Sequence, residues 1–237
     1  TEASDDLLAV LDLARQINQK SSGAFDISIL PMLDLYQNYH LPAQERMSIL
    51  NIRRNLVNQA NLQIKGRKIN FLEPGMGITL DGIAKGYIVD EGTATLSKYG
   101  FERVYVEAGG DLLVKDDKAI GKPWRIGIQN PRPEITSKLV VIEAENMAVA
   151  TSGDYYQPFS SDLSVHHILN PSTGLSSPEL ASCTVTAPNG AMADGLATAC
   201  MVLGSNDAMD LLASFPACEG YFVTKDMHVR KTSGFAV

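Results

Sequence analysis

Three short stretches of this chain carry residue types and spacings that suit chemistry. In "ADGLATACMVLG", Asp194 and Thr198 are four residues apart on a predicted helix, so both side chains lie on one face. A carboxylate and a hydroxyl so placed suit Mg2+, a hard cation that takes oxygen ligands and keeps several waters. The same pair also reads as a first-turn carboxylate with Thr198 bonding back to its own helix. The second stretch is "GITLDGIAKG", where glycines at a strand-to-helix turn leave backbone N–H groups free to face an anion. Lys85, early in that helix, opposes the helix dipole; a ligand phosphate would justify it, and a solvated lysine is the alternative. Gly77 and Gly82 have the Walker spacing, but Ile83 stands where that motif needs lysine, and no GxGxxG occurs. The third is "SVHHILNPSTG". Adjacent histidines on a strand point to opposite faces, so at most one of His166 and His167 faces a site. No HExxH spacing accompanies them, and no GxSxG elbow marks Ser152 as an activated nucleophile.

The elements that must position these residues follow from periodicity. Leu7, Leu8, Leu11, Ala14 and Ile17 predict an N-terminal helix that Ser4 or Asp5 caps and Gly23 ends. A loop-rich stretch through Pro31 and Tyr36 is expected next, then a short helix near Glu45 to Leu50. "ANLQIKGRKINFLE" alternates around Gly66 and predicts a hairpin. A short strand ending near Leu80 turns at Asp81 and Gly82 into a helix that stops at Gly100. "RVYVEAGGDLLV", "WRIGIQNP", "KLVVIEA", "MAVATSG" and "SCTVTAPNG" read as strands, the last leading into the helix of Asp194, which Gly204 closes. "GYFVTKDMHVRKTSG" ends the chain with a hairpin turning near Lys225 and Asp226. Hairpins are frequent and βα alternation is absent. The expectation is an α+β fold of mixed or antiparallel sheets with packed helices, in a single domain over 1–237.

Composition narrows the function classes. With 45% hydrophobic and 20% charged residues in 237, the chain has the make-up of a globular protein with a substantial core. Twenty basic against 27 acidic residues leave a net charge of −7, which argues against nucleic acid or anionic membranes as partners. A few local donors can still hold an isolated phosphate. The three cysteines, Cys183, Cys200 and Cys218, form no CxxC or zinc spacing and read as buried free thiols. No apolar run reaches the about 18 residues a membrane span needs. The opening "TEASDD" reads as a processed or truncated start.

Together the segments resemble the ApbE family, the FAD:protein FMN transferases. The matching pieces occur in the family's order: "SSGAFDISILPM", "GIAKGYIVD", "VEAGGDLLV", "WRIGIQNPR", "VATSGDYYQPF", "HHILNPSTG", "CTVTAPNGAMADGLATACMVLG" and "KTSGFAV". The resemblance implies an α+β enzyme that binds FAD with Mg2+. Such an enzyme transfers FMN through a phosphodiester bond to a threonine or serine of an acceptor flavoprotein and releases AMP. Some members instead hydrolyse FAD to FMN and AMP, and a non-catalytic FAD-binding protein is the third alternative. Carried over, Asp194 and Thr198 would be side-chain metal ligands, with the Gly82 carbonyl completing the site. Ala24, Phe25, Asp26 and Lys85 would line the FAD pocket, and His167 and Ile168 would contact the flavin. His167 has the intrinsic pKa of a base that could take the attacking hydroxyl's proton, leaving His166 structural.

This chain departs from the family at "TLDGIAK". Thr79 stands at the usual aspartate position and Asp81 at a usual glycine, and both are expected in the FAD pocket. The family's further N-terminal segment, with its strands and FAD contacts, is absent from the residues read here. The resemblance also implies a periplasmic or lipoprotein location, although no signal or anchor stands in this sequence.

Overall fold

The computed structural model describes residues 2–37, 41–134 and 140–236. Helix α1 spans Asp5–Lys20; Ser4 Oγ accepts from the Leu7 N–H at 3.1 Å, and Asp5 and Asp6 fill the positive end. Its buried stripe is Val10, Leu11, Ala14 and Ile17, as the apolar spacing predicts. Asp26 caps a single 3-10 turn at Ile27–Ile29, and α2 follows at Leu30–Gln37. The sequence reading expects loop there. Pro31 sits in the first turn, where a missing N–H costs nothing, and Met32, Leu35 and Tyr36 bury themselves at helical spacing. Helix α3 runs over Ala43–Arg53, longer at both ends than expected. The first hairpin is β1 (Leu62–Lys65) with β2 (Lys68–Phe71).

Helix α4 is Ala84–Lys98, followed by β3 (Val104–Ala108), β4 (Asp111–Lys115), β5 (Trp124–Ile128), β6 (Val140–Ala144) and β7 (Met147–Gly153). Lys138 and Leu139 of the predicted "KLVVIEA" strand lie outside the described residues. Then come β8 (Leu180–Ala187), α5 (Gly190–Leu203), α6 (Ser205–Ala213), β9 (Glu219–Thr224) and β10 (Val229–Lys231). The strand expected to end near Leu80 does not form: Ile78–Leu80 has no sheet ladder, the Thr79 N–H donates to Ile27 O at 2.8 Å, and Leu80 O accepts from the Ile83 and Ala84 N–H groups. The sequence reading also ends its helices at Gly204, whereas α6 starts in the next residue. The Glu179 carboxylate caps it from a distance, accepting from the Ser205 N–H at 3.1 Å and hydroxyl at 2.6 Å.

The main sheet has the order β10-β9-β8-β7-β4-β3, with every neighbouring pair antiparallel. The antiparallel alternative of the expected fold is therefore the one realised among the described strands. Helix α5 lies against it, touching α1, α4, α6 and strands β4, β7 and β8. Ala193, Gly195, Ala197 and Ala199 keep α5 slim enough to be buried on so many sides. On another apolar surface, Leu112, Val114 and Val149 pack with Ile126, Ile128 and Ile142 of the separate β5–β6 ribbon. A third cluster joins Met32, Leu35 and Tyr36 of α2 with Leu50 of α3 and Leu169. Cys183, Cys200 and Cys218 are buried and unpaired in disulfides, as expected. Among the described residues no helix is long and apolar enough to cross a membrane.

Candidate active site

The crossing of α4 and α5 starts the site. Gly86 and Gly190 meet backbone to backbone: a Cβ on Gly86 would fall 2.1 Å from Gly190 O, and one on Gly190 2.4 Å from Gly86 O. No side chain fits there. The close approach lets the Gly86 N–H donate to Asp194 Oδ2 at 3.2 Å and sets Lys85 beside Asp194. Asp90, one turn further along α4, accepts from the N–H groups of Gly190 and Ala191 at 2.6 and 2.9 Å, holding the start of α5.

Lys85 Nζ lies 2.7 Å from Asp111 Oδ2 and 3.3 Å from Asp194 Oδ1. Both carboxylates are almost fully buried, and Asp111 Oδ2 has the ion pair but no well-directed hydrogen bond. Two buried acids thus face one half-exposed lysine, leaving a negative surplus. Burial, with Asp111 next to it, pushes the Asp194 carboxyl up to about 7, despite the lysine and the Gly86 N–H. The Asp111 carboxyl is also raised, chiefly by burial. Lys85 itself is raised by the two acids in spite of an opposing desolvation effect, so it stays charged.

Thr198 follows Asp194 on the same face of α5, and its Oγ1 is 3.2 Å from Ser152 Oγ at the end of β7. Gly82 abuts it: a Cβ there would sit 2.9 Å from Thr198 Oγ1. Ser152 has no histidine partner, in line with the absence of a nucleophile motif. Asp111, by contrast, escaped the sequence reading. The available signal was its place directly after Gly109–Gly110, where a strand restarts and its first side chain turns inward.

The histidines lie in an irregular segment rather than on the predicted strand. His166 forms only an isolated bridge with Pro158, because each side of the segment pairs with a loop instead of a ladder. The two residues nevertheless diverge. His166 is fully buried with Nε2 3.1 Å from Ser177 O, which fits a structural role. His167 is tied by its main-chain N–H to Gln157 O at 3.1 Å, and its imidazole faces the cavity. Burial, then the neighbouring His166, lowers the His167 imidazole to about 4, and its buried Nδ1 has no partner.

One cavity of about 440 Å³ collects every residue expected from the sequence to hold FAD or the metal. Ala24, Phe25, Asp26, Thr79, Asp81, Gly82, Lys85, His167, Ile168, Asp194 and Thr198 all line it, as do Thr151, Ser152, Tyr156 and Gln157. That volume is in the range of a small-molecule site, with apolar walls and a few convergent polar groups. Asp26 is less free than expected. Its Oδ1 accepts from the Ser28 N–H at 2.8 Å and hydroxyl at 2.6 Å, and its Oδ2 from the Gln59 N–H at 3.0 Å. The carboxylate thus shapes the wall and keeps little capacity for a ligand. Thr79 Oγ1 accepts from the Asp81 N–H at 3.3 Å, so the two departures of the "TLDG" turn are joined locally.

The chain is 34% identical to the FAD:protein FMN transferase of Vibrio cholerae over 214 residues, covering 87% of this chain and 63% of that protein. It is 28% identical to the protein of that name from Treponema pallidum, over 96% of this chain and 68% of the relative. The chain thus spans less than two thirds of the Vibrio relative. Among solved structures, the flavin transferase ApbE from Vibrio cholerae superposes with a TM-score of 0.84 at 31% identity, covering 97% of this chain and 74% of that one. The ApbE protein from Thermotoga maritima gives 0.84 at 28% identity, over 98% and 77%. The profile of the ApbE family matches residues 1–222, and with it the chain belongs to the ApbE family.

Proposed function

We propose that this chain is an FMN transferase: it uses FAD and Mg2+ to attach FMN through a phosphodiester bond to a threonine or serine of an acceptor flavoprotein, releasing AMP. One observation carries the reading. The carboxylate–lysine cluster of α4, β4 and α5 opens into the same cavity as Phe25, Ile168 and His167, so phosphate-handling and ring-binding surfaces share one site. The names and structures of the relatives support it, and an envelope location goes with the same family resemblance.

The residues suit a divalent cation. Two buried acids with one lysine leave a negative surplus that a bound cation would relieve. Asp194, Thr198 and Gly82 line one cavity, and Gly82 abuts Thr198 Oγ1, so a carboxylate, a hydroxyl and a main-chain carbonyl are the oxygen donors we assign to the cation. Among the described residues no three His, Cys, Asp or Glu side chains cluster, so the set is sparse and leaves room for water and phosphate ligands, the habit of Mg2+. Bound there, Mg2+ would neutralise charge on the pyrophosphate.

Phe25 and Ile168 offer apolar surface to the isoalloxazine ring, while Lys85, positive throughout, faces the phosphates. The acceptor hydroxyl oxygen forms a bond to the FMN phosphorus as the bond from that phosphorus to the bridging oxygen breaks. AMP leaves with the bridging oxygen and its electron pair. His167, which lines the cavity and is neutral at pH 7, is the base assigned to the hydroxyl proton, a weak one because burial lowers its imidazole to about 4.

The test is to incubate the protein with FAD and Mg2+, with and without an acceptor flavoprotein. AMP formed only with acceptor, together with fluorescence on the acceptor, is the expected result. AMP without acceptor would make the chain an FAD pyrophosphatase; bound flavin and no AMP would make it a binding protein.

A further inference from the structure

The segment between β7 and β8, residues 154–179, supplies Tyr156, Gln157, His167 and Ile168 to the cavity. No helix or extended ladder gives it shape; it has isolated bridges at Pro158–His166 and Leu169–Ser176. Its fixity has to come from tethers, and the strongest are charged. Asp154, wholly buried, receives both prongs of the Arg132 guanidinium, at 2.9 Å to Oδ1 and 2.7 Å to Oδ2. Arg132 Nη1 also donates to Pro131 O at 2.8 Å, so the guanidinium is seated on the chain that follows β5. Lys225, in the β9–β10 turn, stands 3.9 Å from Asp154 Oδ2 and donates from Nζ to Leu163 O at 3.3 Å. Its main-chain N–H donates to Glu179 O at 2.9 Å.

These contacts catch the segment at its beginning, its middle and its end. Inside that frame, His166 Nε2 meets Ser177 O and the His167 N–H meets Gln157 O. We infer that Arg132, Asp154 and Lys225 form a buried charge clamp whose task is to position the His167 imidazole in the cavity. A buried ion pair is a poor device for stability alone, because well-packed apolar side chains of the same volume do as well or better. What a two-pronged pair adds is direction: the planar fork admits one geometry, which a lysine or an apolar contact does not impose. All three residues act through the segment, and none of them lines the cavity.

The use of FAD as a probe rests on the function proposed above; the clamp does not. Arg132→Lys keeps the charge and loses the fork, and Lys225→Met removes two of the side-chain tethers. Each is compared with native protein and with Leu212→Ala, a core change on α6 that lowers stability away from the segment. Imidazole nitrogen resonances in 15N-labelled protein report His167 directly, well below each melting temperature. FAD affinity is read by flavin fluorescence. The clamp variants should shift and broaden the His167 resonances and weaken FAD binding about tenfold, since misplacement of a site by a fraction of an ångström is costly. Leu212→Ala should change neither. Native His167 resonances in both folded clamp variants would overturn the inference, as would equal disturbance by Leu212→Ala. Should Arg132→Lys not fold, Lys225→Met decides, because its lysine is 28% exposed and its loss is mild. If native protein fails to bind FAD, the functional reading falls while the imidazole spectra still judge the clamp.

Discussion

Two buried charge clusters stand near the end of β7, and they are built with opposite surpluses. Asp111 and Asp194 share Lys85 at 2.7 and 3.3 Å, with one Asp111 oxygen lacking a directed hydrogen bond. Asp154 instead sits between Arg132 and Lys225, with both oxygens bonded and cations in excess. Local sequence does not explain the difference, since Asp111 and Asp154 are each an aspartate at the edge of a strand. What separates them is what remains to be bound. The first cluster opens into the cavity and is left unsatisfied, the state in which a cationic ligand gains most. The second is closed off and saturated, so removing Asp154 strands Arg132, and removing Arg132 leaves Asp154 with only Lys225 at 3.9 Å.

Substitutions can break that contrast. The largest effect is expected from Asp194→Ala, which should cut AMP release with acceptor by on the order of 10³-fold; undiminished turnover in Mg2+ would remove Asp194 from the ligand set. Next, Asp154→Asn should cost about 3 kcal/mol of unfolding free energy, because it strands Arg132 in the interior. Its counterpart, Asp111→Asn, should cost less than Asp154→Asn in Mg2+-free buffer, since it relieves the like charge of Asp194 as well as losing an ion pair. Equal losses in urea unfolding would show that the two clusters are not different in kind. His167→Ala should lower single-turnover transfer at saturating FAD about 100-fold, the lower range for a lost base, and an unchanged rate would exclude it as base.

The smallest effect is on the pH dependence of stability. The His167 imidazole titrates near 4 in the folded protein, against about 6.5 when unfolded. Between those values the unfolded chain binds more protons, so stability is full above about 6.5 and is lost as pH falls toward 4. His167→Asn should therefore flatten the slope of unfolding free energy across that window by up to about 1.4 kcal/mol per pH unit. An unchanged slope would mean that the imidazole is better hydrated than its burial implies.

Much of the site was legible in sequence because its parts announce themselves locally. Asp194 and Thr198 declare a shared face by spacing, and Lys85 is conspicuous at the wrong end of a dipole. Asp111 and Arg132 were not legible, for a physical reason. Their partners Lys85 and Asp154 lie 26 and 22 residues away, and only the sheet and its packing against α4 bring them together. The fold divides the same way. Hairpins and amphipathic helices followed from period and turn chemistry. Helix α2 lay in the stretch through Pro31 and Tyr36 read as loop-rich, although Pro31 stands in a first turn, and α6 was hidden by Gly204, read as an end although the Glu179 carboxylate caps a helix that begins at the next residue.

The contact of Gly86 with Gly190 has a consequence for descent. Any glycine codon becomes an alanine codon by one base change. At either position the added methyl would collide with main chain, which has no rotamer to escape into. A chain that keeps this helix crossing has no neutral path through these two sites. The interval between Lys85 and Asp194 is thus inherited as an absence of atoms, which no later substitution elsewhere can easily restore.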